Sequence, residues 1–133
     1  MADRTFRCKL ITPEERVIDA EVTYARVPLW DGKTGVMHHT SAFVGKIGFG
    51  ELRLEFPQGT PKSWFIDGGF VQNVNDEVTI LANGAIPTNE IDLTEAKAEL
   101  AEATARIPNT PDEMDRITAA RTRARAKVAV AGG

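Results

Sequence analysis

Apolar and charged residues alternate with a period of two through the first two-thirds of the chain. In the first such run, Phe6, Cys8 and Leu10 alternate with basic residues. This period puts successive side chains on opposite faces of a β-strand. Turn signals such as Asp31-Gly32 separate the runs. The pattern over residues 5–83 predicts many short strands, which favours a β-sandwich or a flattened barrel.

The pattern changes near Pro87, after which alanine is abundant and aromatic residues are absent. Two helix starts follow, at Asp92 and at Thr110, and each has a glutamate three residues later, which is a capping-box pattern. The short break between the helices predicts an antiparallel hairpin. We therefore predict a β-sandwich domain over residues 1–87 and a helical hairpin domain over residues 88–133.

The facing stripes of the two helices include three alanines and one arginine, so the contacts between them bury little apolar area. The stripes are Leu93, Ala96, Leu100, Ala103 and Ile107 in the first helix and Met114, Ile117, Arg121, Ala124 and Val128 in the second.

The first helix is acidic and the second is basic. The basic residues are Arg116, Arg121, Arg123, Arg125 and Lys127. In an antiparallel hairpin the two charged stretches lie side by side, and the sequence favours reading them as complementary solvated faces. The alternative is a mobile basic helix that leaves the hairpin for an acidic surface elsewhere.

Composition limits the classes of function that the chain can have. The chain has 133 residues and a net charge of −3, which gives no reason to expect a nucleic-acid partner. No apolar run reaches the roughly 20 residues that span a bilayer. The start, Met1 to Thr5, predicts no secretory signal. Cys8 is the single cysteine, and its place in the alternating run predicts a core residue rather than a nucleophile.

The motifs that could carry chemistry do not form a site. Gly32-Lys33-Thr34 lacks the glycine that a phosphate-binding loop needs at position 27. His38 and His39 are adjacent, and adjacent residues of a strand point to opposite faces, so a shared zinc ion is not expected. The sequence therefore predicts no catalytic centre, no metal and no cofactor.

A double glycine, Gly68-Gly69, interrupts an otherwise bulky strand pattern before Phe70. Glycine within a strand pattern indicates a bulge or the close approach of another backbone.

Four stretches carry a resemblance that covers essentially the whole chain. They are Gly35-Val36-Met37, Gly50-Glu51-Leu52-Arg53-Leu54, Phe65 to Val71 and Val78 to Ile86. With the order of parts, they resemble the epsilon subunit family of rotary (F-type) ATP synthases, whose mitochondrial counterpart is called delta. The resemblance implies a sandwich of about ten strands followed by a two-helix hairpin.

The resemblance also implies a role. The subunit would be a non-catalytic rotor part of the central stalk that couples ion transport to ATP synthesis. It would contact the gamma subunit and the c-ring, peripherally at the cytoplasmic face of the cell membrane. Its helical hairpin would reach the beta subunit and restrain ATP hydrolysis. Gly68, Gly69 and Phe70 would then contact gamma, or mark a tight crossing of the sandwich's own sheets.

Two segments depart from the family pattern. The loop that faces the c-ring commonly reads Leu-Pro-Gly-His-Ala-Pro-Leu, and residues 37–43 align with it. The c-ring end would therefore be formed by His38, His39, Thr40, Ser41, Ala42 and Phe43. In the hairpin, Ile91 and Asp92 match a nucleotide-binding pattern, but Glu95 replaces its arginine and would repel phosphate. Asp92 is better interpreted as a helix N-cap, with no nucleotide bound.

Three other functions remain alternatives at this point. A free-standing β-sandwich binding module would need a row of exposed aromatic residues, whereas the chain has two Trp and one Tyr. A nucleotide-sensing hairpin is disfavoured by Glu95, and a hydrolase by the missing catalytic residues. The sequence leaves open the coupling ion and whether the hairpin rests folded or extended.

Overall fold

The computed structural model describes residues 4–132, and the chain divides into two compact units. One unit ends at Pro87 and the other begins at Thr88. Residues 1–3 and 133, which the predicted domain ranges include, lie outside the described residues. The expectation about a secretory signal rests partly on those first residues.

The first unit is a β-sandwich. Its strands are β1 (Phe6–Ile11), β2 (Arg16–Val22), β3 (Tyr24–Leu29), β4 (Gly32–Val36), β5 (Phe43–Glu55), β6 (Lys62–Val74), β7 (Glu77–Ala82) and β8 (Ala85–Pro87). The order of the hydrogen-bonded strands is β2-β1-β7-β6-β5-β3-β4, and β8 pairs with β6. β1 and β7 are parallel, whereas the other pairs are antiparallel.

The β-sandwich class is confirmed, but the described residues form eight strands where the family resemblance implies about ten. The difference arises because β5 and β6 are each 13 residues long. β6 continues through Gly68 and Gly69, which interrupt the bulky residues of the strand pattern.

The core confirms the period-two pattern. Phe6, Cys8 and Leu10 are all buried, as are Leu52 and Leu54. Burial raises the pKa of the Cys8 thiol to about 12, because the low-dielectric core disfavours the thiolate. Cys8 is therefore a protonated core residue at neutral pH, as its place in the alternating run predicts.

The double glycine lies where β6 changes its neighbour. Gly69 pairs with Ala82 of β7, whereas Ile66 pairs with Ala85 of β8. Between them, the Asn83 N–H donates to the Gly68 carbonyl at 3.0 Å. Gly68 and Gly69 have φ of 71° and 135°, in the region that favours glycine.

The backbone of β7 approaches Gly69 so closely that no side chain fits. A Cβ atom on Gly69 would lie 2.1 Å from the carbonyl oxygen of Leu81 and 2.9 Å from the Cα of Ala82. The approach that the sequence indicates is therefore present within the chain itself.

The second unit is a pair of helices joined by a short connection. It consists of a 3-10 turn (Thr88–Glu90), α1 (Leu93–Ala105) and α2 (Pro111–Gly132). Asp92 is the N-cap of α1 and accepts hydrogen bonds from the N–H groups of Thr94 and Glu95. Neither helix of the described residues is long and apolar enough to cross a membrane.

The start of α2 also has the predicted cap. The Thr110 hydroxyl accepts from the Glu113 N–H at 3.1 Å, and Pro111 is the first helical residue. The Glu113 carboxylate reaches back to the Asn109 N–H at 2.8 Å. Both helix starts were therefore readable from short sequence patterns.

The interface between the two helices, hereafter the helix seam, buries fewer residues than the sequence predicts. Ala96, Ala103, Ile117 and Ala124 are buried, but Ile107 is 82% exposed and Met114 is 47% exposed. The prediction for Ile107 is wrong because α1 ends at Ala105, two residues before it. Pro108 disfavours helical geometry at the residue that precedes it. The prediction for Met114 is wrong because this residue lies in the first turn of α2 and stays largely exposed.

Replacing Gly69 with alanine should lower the free energy of unfolding by about 2–4 kcal/mol, because the new Cβ collides with β7 and the backbone is strained. Gly59→Ala is the matched control. Gly59 also has a positive φ, of 94°, but nothing lies within 4 Å of its added Cβ. We expect a loss of only about 1 kcal/mol there. Urea unfolding of both variants measures the difference, and equal losses would show that the contact with Leu81 is unimportant.

Candidate interaction surfaces

One end of the sandwich carries the segment that the family resemblance assigns to the c-ring. The start of β5 pairs with the end of β6, with Phe43 opposite Asn73. The loop of residues 37–42, hereafter the end loop, therefore lies at the same end as the β6–β7 turn at Asn75-Asp76. Both turn residues have positive φ, of 53° and 57°, as in the type I′ turns of two-residue hairpins.

A buried asparagine fixes the end loop to the sheet. Asn73 is 2% exposed, and its side-chain amide donates to the carbonyls of Thr40 and Ser41, both at 3.1 Å. Satisfying two loop carbonyls from inside the sandwich holds the loop in one conformation. The sequence pattern gives no sign of this residue's role, because its partners lie more than 30 positions away.

The end loop keeps a tight turn without the family's Pro-Gly pair. The Met37 N–H donates to the Thr40 hydroxyl at 2.9 Å, and the Thr40 N–H donates to the Met37 carbonyl at 3.1 Å. His39 has a φ of 65° and takes the place that the family pattern gives to glycine. A left-handed residue at this place is typical of a type II turn.

The two histidines do not point to opposite faces, so that premise of the sequence interpretation is wrong. Their ring centroids are 3.7 Å apart. Nδ1 of His38 lies 3.3 Å, and Nδ1 of His39 lies 3.6 Å, from the same Oδ2 of Asp76. The rings converge because both residues lie in a turn rather than a strand, and because the left-handed backbone at His39 redirects its side chain.

An apolar patch is exposed on the outer face of β5, β6 and β7. Phe70 and Leu81 are directly paired across β6 and β7, and they are 59% and 53% exposed. Val44 of β5 contributes a further side chain that is 72% exposed. These three residues, hereafter the outer patch, line one shallow depression with Gln72 and Thr79. Contiguous exposed apolar side chains of this kind mark interaction surfaces. Of the three, the sequence singles out Phe70 alone.

The basic residues of α2 have different environments. Lys127 lies 3.2 Å and Arg123 lies 3.8 Å from the carboxylate of Glu99, so acidic and basic residues of the two helices do lie side by side there. Arg116 and Arg125 are exposed. The five basic residues therefore do not form a single free face in the folded hairpin.

Arg121 binds the end of α1 instead of an acidic residue. Its guanidinium donates to the carbonyls of Ala103, Thr104 and Arg106 at 3.0, 3.2 and 2.9 Å. The last carbonyls of a helix lack partners within the helix and carry its negative dipole end, so a cation that binds them is doubly favourable. The sequence places Arg121 on the helix seam but gives no indication of these acceptors.

The residues at the positions of the nucleotide-binding pattern form the start of α1. The Asp92 carboxylate caps α1, which confirms the N-cap interpretation. Glu95 is exposed in the first turn of the helix, in the place of the pattern's arginine. The absence of bound nucleotide stays a prediction.

Comparisons with known proteins identify relatives over both units. The family described as ATP synthase, Delta/Epsilon chain, beta-sandwich domain matches residues 5–88. The chain is similar to the ATP synthase epsilon chain of Rhodopirellula baltica, with 37% identity over 93% of this chain and 96% of the relative. It is also similar to the ATP synthase epsilon chain of Syntrophobacter fumaroxidans, with 36% identity over 98% of each.

A solved structure shares the fold. It is a chain in the mitochondrial ATP synthase of Euglena gracilis, in an assembly of OSCP, F1 and c-ring. The TM-score is 0.86, at 22% identity, over 95% of this chain and 81% of that chain. At this identity the likeness shows the fold alone.

Replacing Arg121 with glutamine should destabilise the hairpin by about 1–2 kcal/mol, because hydrogen bonds from a charged donor to three helix-end carbonyls are lost. Hydrogen exchange of the α1 amides in the full chain would measure the change. Arg125→Gln is the matched control, since Arg125 is exposed on the same helix. Faster exchange in both variants alike would mean that general charge, and not the carbonyl contact, holds the helices together.

Proposed function

The chain belongs to the delta/epsilon chain family of ATP synthases, and from this membership we propose that it is the central-stalk rotor subunit of such a complex. It is a non-catalytic subunit. In this role it links the gamma subunit to the c-ring, so that rotation driven by ion flow is transmitted to ATP synthesis.

The observation that carries the proposal is the extent of the similarity. Two epsilon chains cover 93% and 98% of this chain and are themselves covered over 96% and 98% of their length. The match therefore includes the helical hairpin as well as the sandwich. A free-standing binding module would share the sandwich alone.

Two surfaces of the sandwich fit the two rotor partners. We assign the end loop to the c-ring, because residues 37–43 align with the family's ring-facing loop. We assign the outer patch to gamma, because Phe70 follows the Gly68-Gly69 segment, where the resemblance places a gamma contact. Contacts of this kind would hold the protein peripherally at the cytoplasmic face of the cell membrane.

The hairpin supplies a candidate inhibitory element. While it is folded, Arg121 binds the end of α1, and Arg123 and Lys127 lie against Glu99. Opening the hairpin would release these side chains along one basic helix with Arg116 and Arg125. That helix would then be complementary to an acidic region of the beta subunit, where its binding would restrain ATP hydrolysis. Opening the hairpin should cost little free energy, because three of the four buried residues of the helix seam are alanines.

Phe70→Glu should weaken association with gamma by about tenfold or more, because it places a charge in an apolar interface. Phe70 is exposed, so the sandwich itself should stay folded. Gln58→Glu makes the same charge change in the exposed loop at the other end of β5 and β6. An affinity-tagged chain purified from native membranes should bring down gamma and the c subunit, and the Phe70 variant should bring down less of both. Undiminished recovery would remove the outer patch from the interface, and no recovery of either partner with the unaltered chain would refute the rotor role.

Deleting the chain from Ile91 onward should raise the ATP hydrolysis rate of the reconstituted complex, because the inhibitory element is removed. Arg121→Gln should act in the opposite direction and deepen inhibition. A loss of about 1–2 kcal/mol from the folded hairpin shifts the folded-to-extended ratio by about 5- to 30-fold.

Arg125→Gln distinguishes the loss of a positive charge from the loss of the contact with the carbonyls of α1. It subtracts the same charge from α2 without touching the carbonyls at the end of α1. If the hairpin contact controls inhibition, Arg121→Gln lowers the hydrolysis rate and Arg125→Gln does not. Identical rates for the deletion, both variants and the unaltered complex would exclude an inhibitory role for the hairpin.

A further inference from the structure

The convergence of two imidazoles on one carboxylate at the end loop suggests a function that the rotor role does not require. From His38, His39 and Asp76, one donor atom each lies within 4.8 Å of the others. We propose that these three residues form a binding site for a divalent transition-metal ion of the zinc class. The proposal rests on the local geometry and is independent of the proposed partners.

The distances between donors fit a small ion. Zinc takes nitrogen and oxygen ligands at about 2.0–2.1 Å in a tetrahedron, which separates neighbouring ligands by about 3.3–3.4 Å. The two imidazole nitrogens lie 3.3 and 3.6 Å from Oδ2 of Asp76. The remaining separation, between the two imidazole nitrogens, is at most 4.8 Å, and rotation of the His39 side chain, which is 72% exposed, would shorten it.

The carboxylate is held in the orientation that a ligand needs. Oδ1 of Asp76 accepts the backbone N–H of His39 at 2.8 Å, which leaves Oδ2 directed at the imidazoles. The backbone carbonyl of Asp76 accepts from the Arg7 N–H at 3.0 Å, which fixes the turn to the start of β1. Such outer contacts orient metal ligands and are needed for affinity.

His38 offers a nitrogen whose hydrogen-bonding capacity is unused. Its Nδ1 is shielded from solvent and makes no hydrogen bond, although Asp76 lies 3.3 Å away. A shielded polar atom without a partner is unfavourable, and coordination of a cation would satisfy it. The lone pair of this nitrogen and the carboxylate oxygen would then coordinate the same divalent cation.

The donor set selects the class of ion. Imidazole nitrogen suits zinc, copper, nickel and cobalt, whereas magnesium and calcium prefer oxygen ligands throughout. Three protein donors leave further positions for water. The site is at the surface, since His38 and Asp76 are 26% and 31% exposed, so an ion can enter without opening the sandwich.

The test is calorimetric titration of the full chain, free of any polyhistidine tag, with Zn²⁺ and with Mg²⁺. We expect one Zn²⁺ per chain and no competing Mg²⁺ binding. Titration with Co²⁺ adds a spectroscopic readout, because visible absorption bands report low-coordinate nitrogen ligation directly. Zn²⁺ binding that appears only at concentrations where an unrelated histidine-containing protein also binds, or Mg²⁺ binding of equal strength, would overturn the proposal.

The variants are chosen so that folding is preserved. His39→Gly removes a ligand at a φ of 65° that glycine adopts freely, and Asp76→Asn keeps a residue that tolerates a φ of 57°. Each should weaken Zn²⁺ binding about tenfold or more and abolish the Co²⁺ bands. Glu77→Gln removes the neighbouring carboxylate, which pairs with Lys9, and should change neither. Retained affinity in His39→Gly, or an equal loss in Glu77→Gln, would refute the assignment of ligands.

Discussion

The sandwich depends on the approach of two backbones at Gly69. β6 exchanges β7 for β8 as its neighbour at this point, so a single strand joins parts of the sheet that would otherwise separate. The inward side chains on either side, Ile66 and Val71, are both almost fully buried. Any side chain at Gly69 would force β7 away from β6 and disturb the packing on both sides of the exchange. One missing Cβ atom therefore permits the continuous core that positions the end loop and the outer patch.

The hairpin is held by a different balance of forces. Its seam buries three alanines and one isoleucine, so burial contributes far less than in the sandwich. The contacts of Arg121 with the end of α1 consequently carry an unusual share of its stability. Polar contacts at a surface break more readily than a packed core, so the hairpin can rearrange while the sandwich stays intact. This contrast is consistent with the proposal of a rigid sandwich that docks to its partners and a hairpin that can move.

Features encoded within a few residues were predictable from the sequence. The helix starts at Asp92 and Thr110 and the alternating core of β1 follow from local chemistry. Ile107 was misjudged because the helical period continues past the point where Pro108 ends the helix.

Features that depend on distant partners could not be read from the sequence. Arg121 meets carbonyls 15 to 18 positions away, and His39 meets Asp76 across 37 positions. The outer patch requires the register of three strands, which sequence alternation does not give. The histidine pair was misjudged because the left-handed backbone of His39 is accompanied by a hydrogen bond that its N–H donates to Asp76 in a separate turn. The double glycine, in contrast, correctly indicated the close approach of another backbone, but it did not indicate that β7 supplies that backbone.

The burial of Cys8 has a practical consequence for following this protein in motion. The only thiol of the chain is enclosed in the core and protonated at neutral pH, so thiol reagents do not meet a reactive thiolate on the surface. A cysteine introduced on either unit would be the one accessible site for a fluorophore or a crosslinker. The native sequence is thus already a suitable background for single-molecule measurements of hairpin opening, with no need to remove a cysteine first.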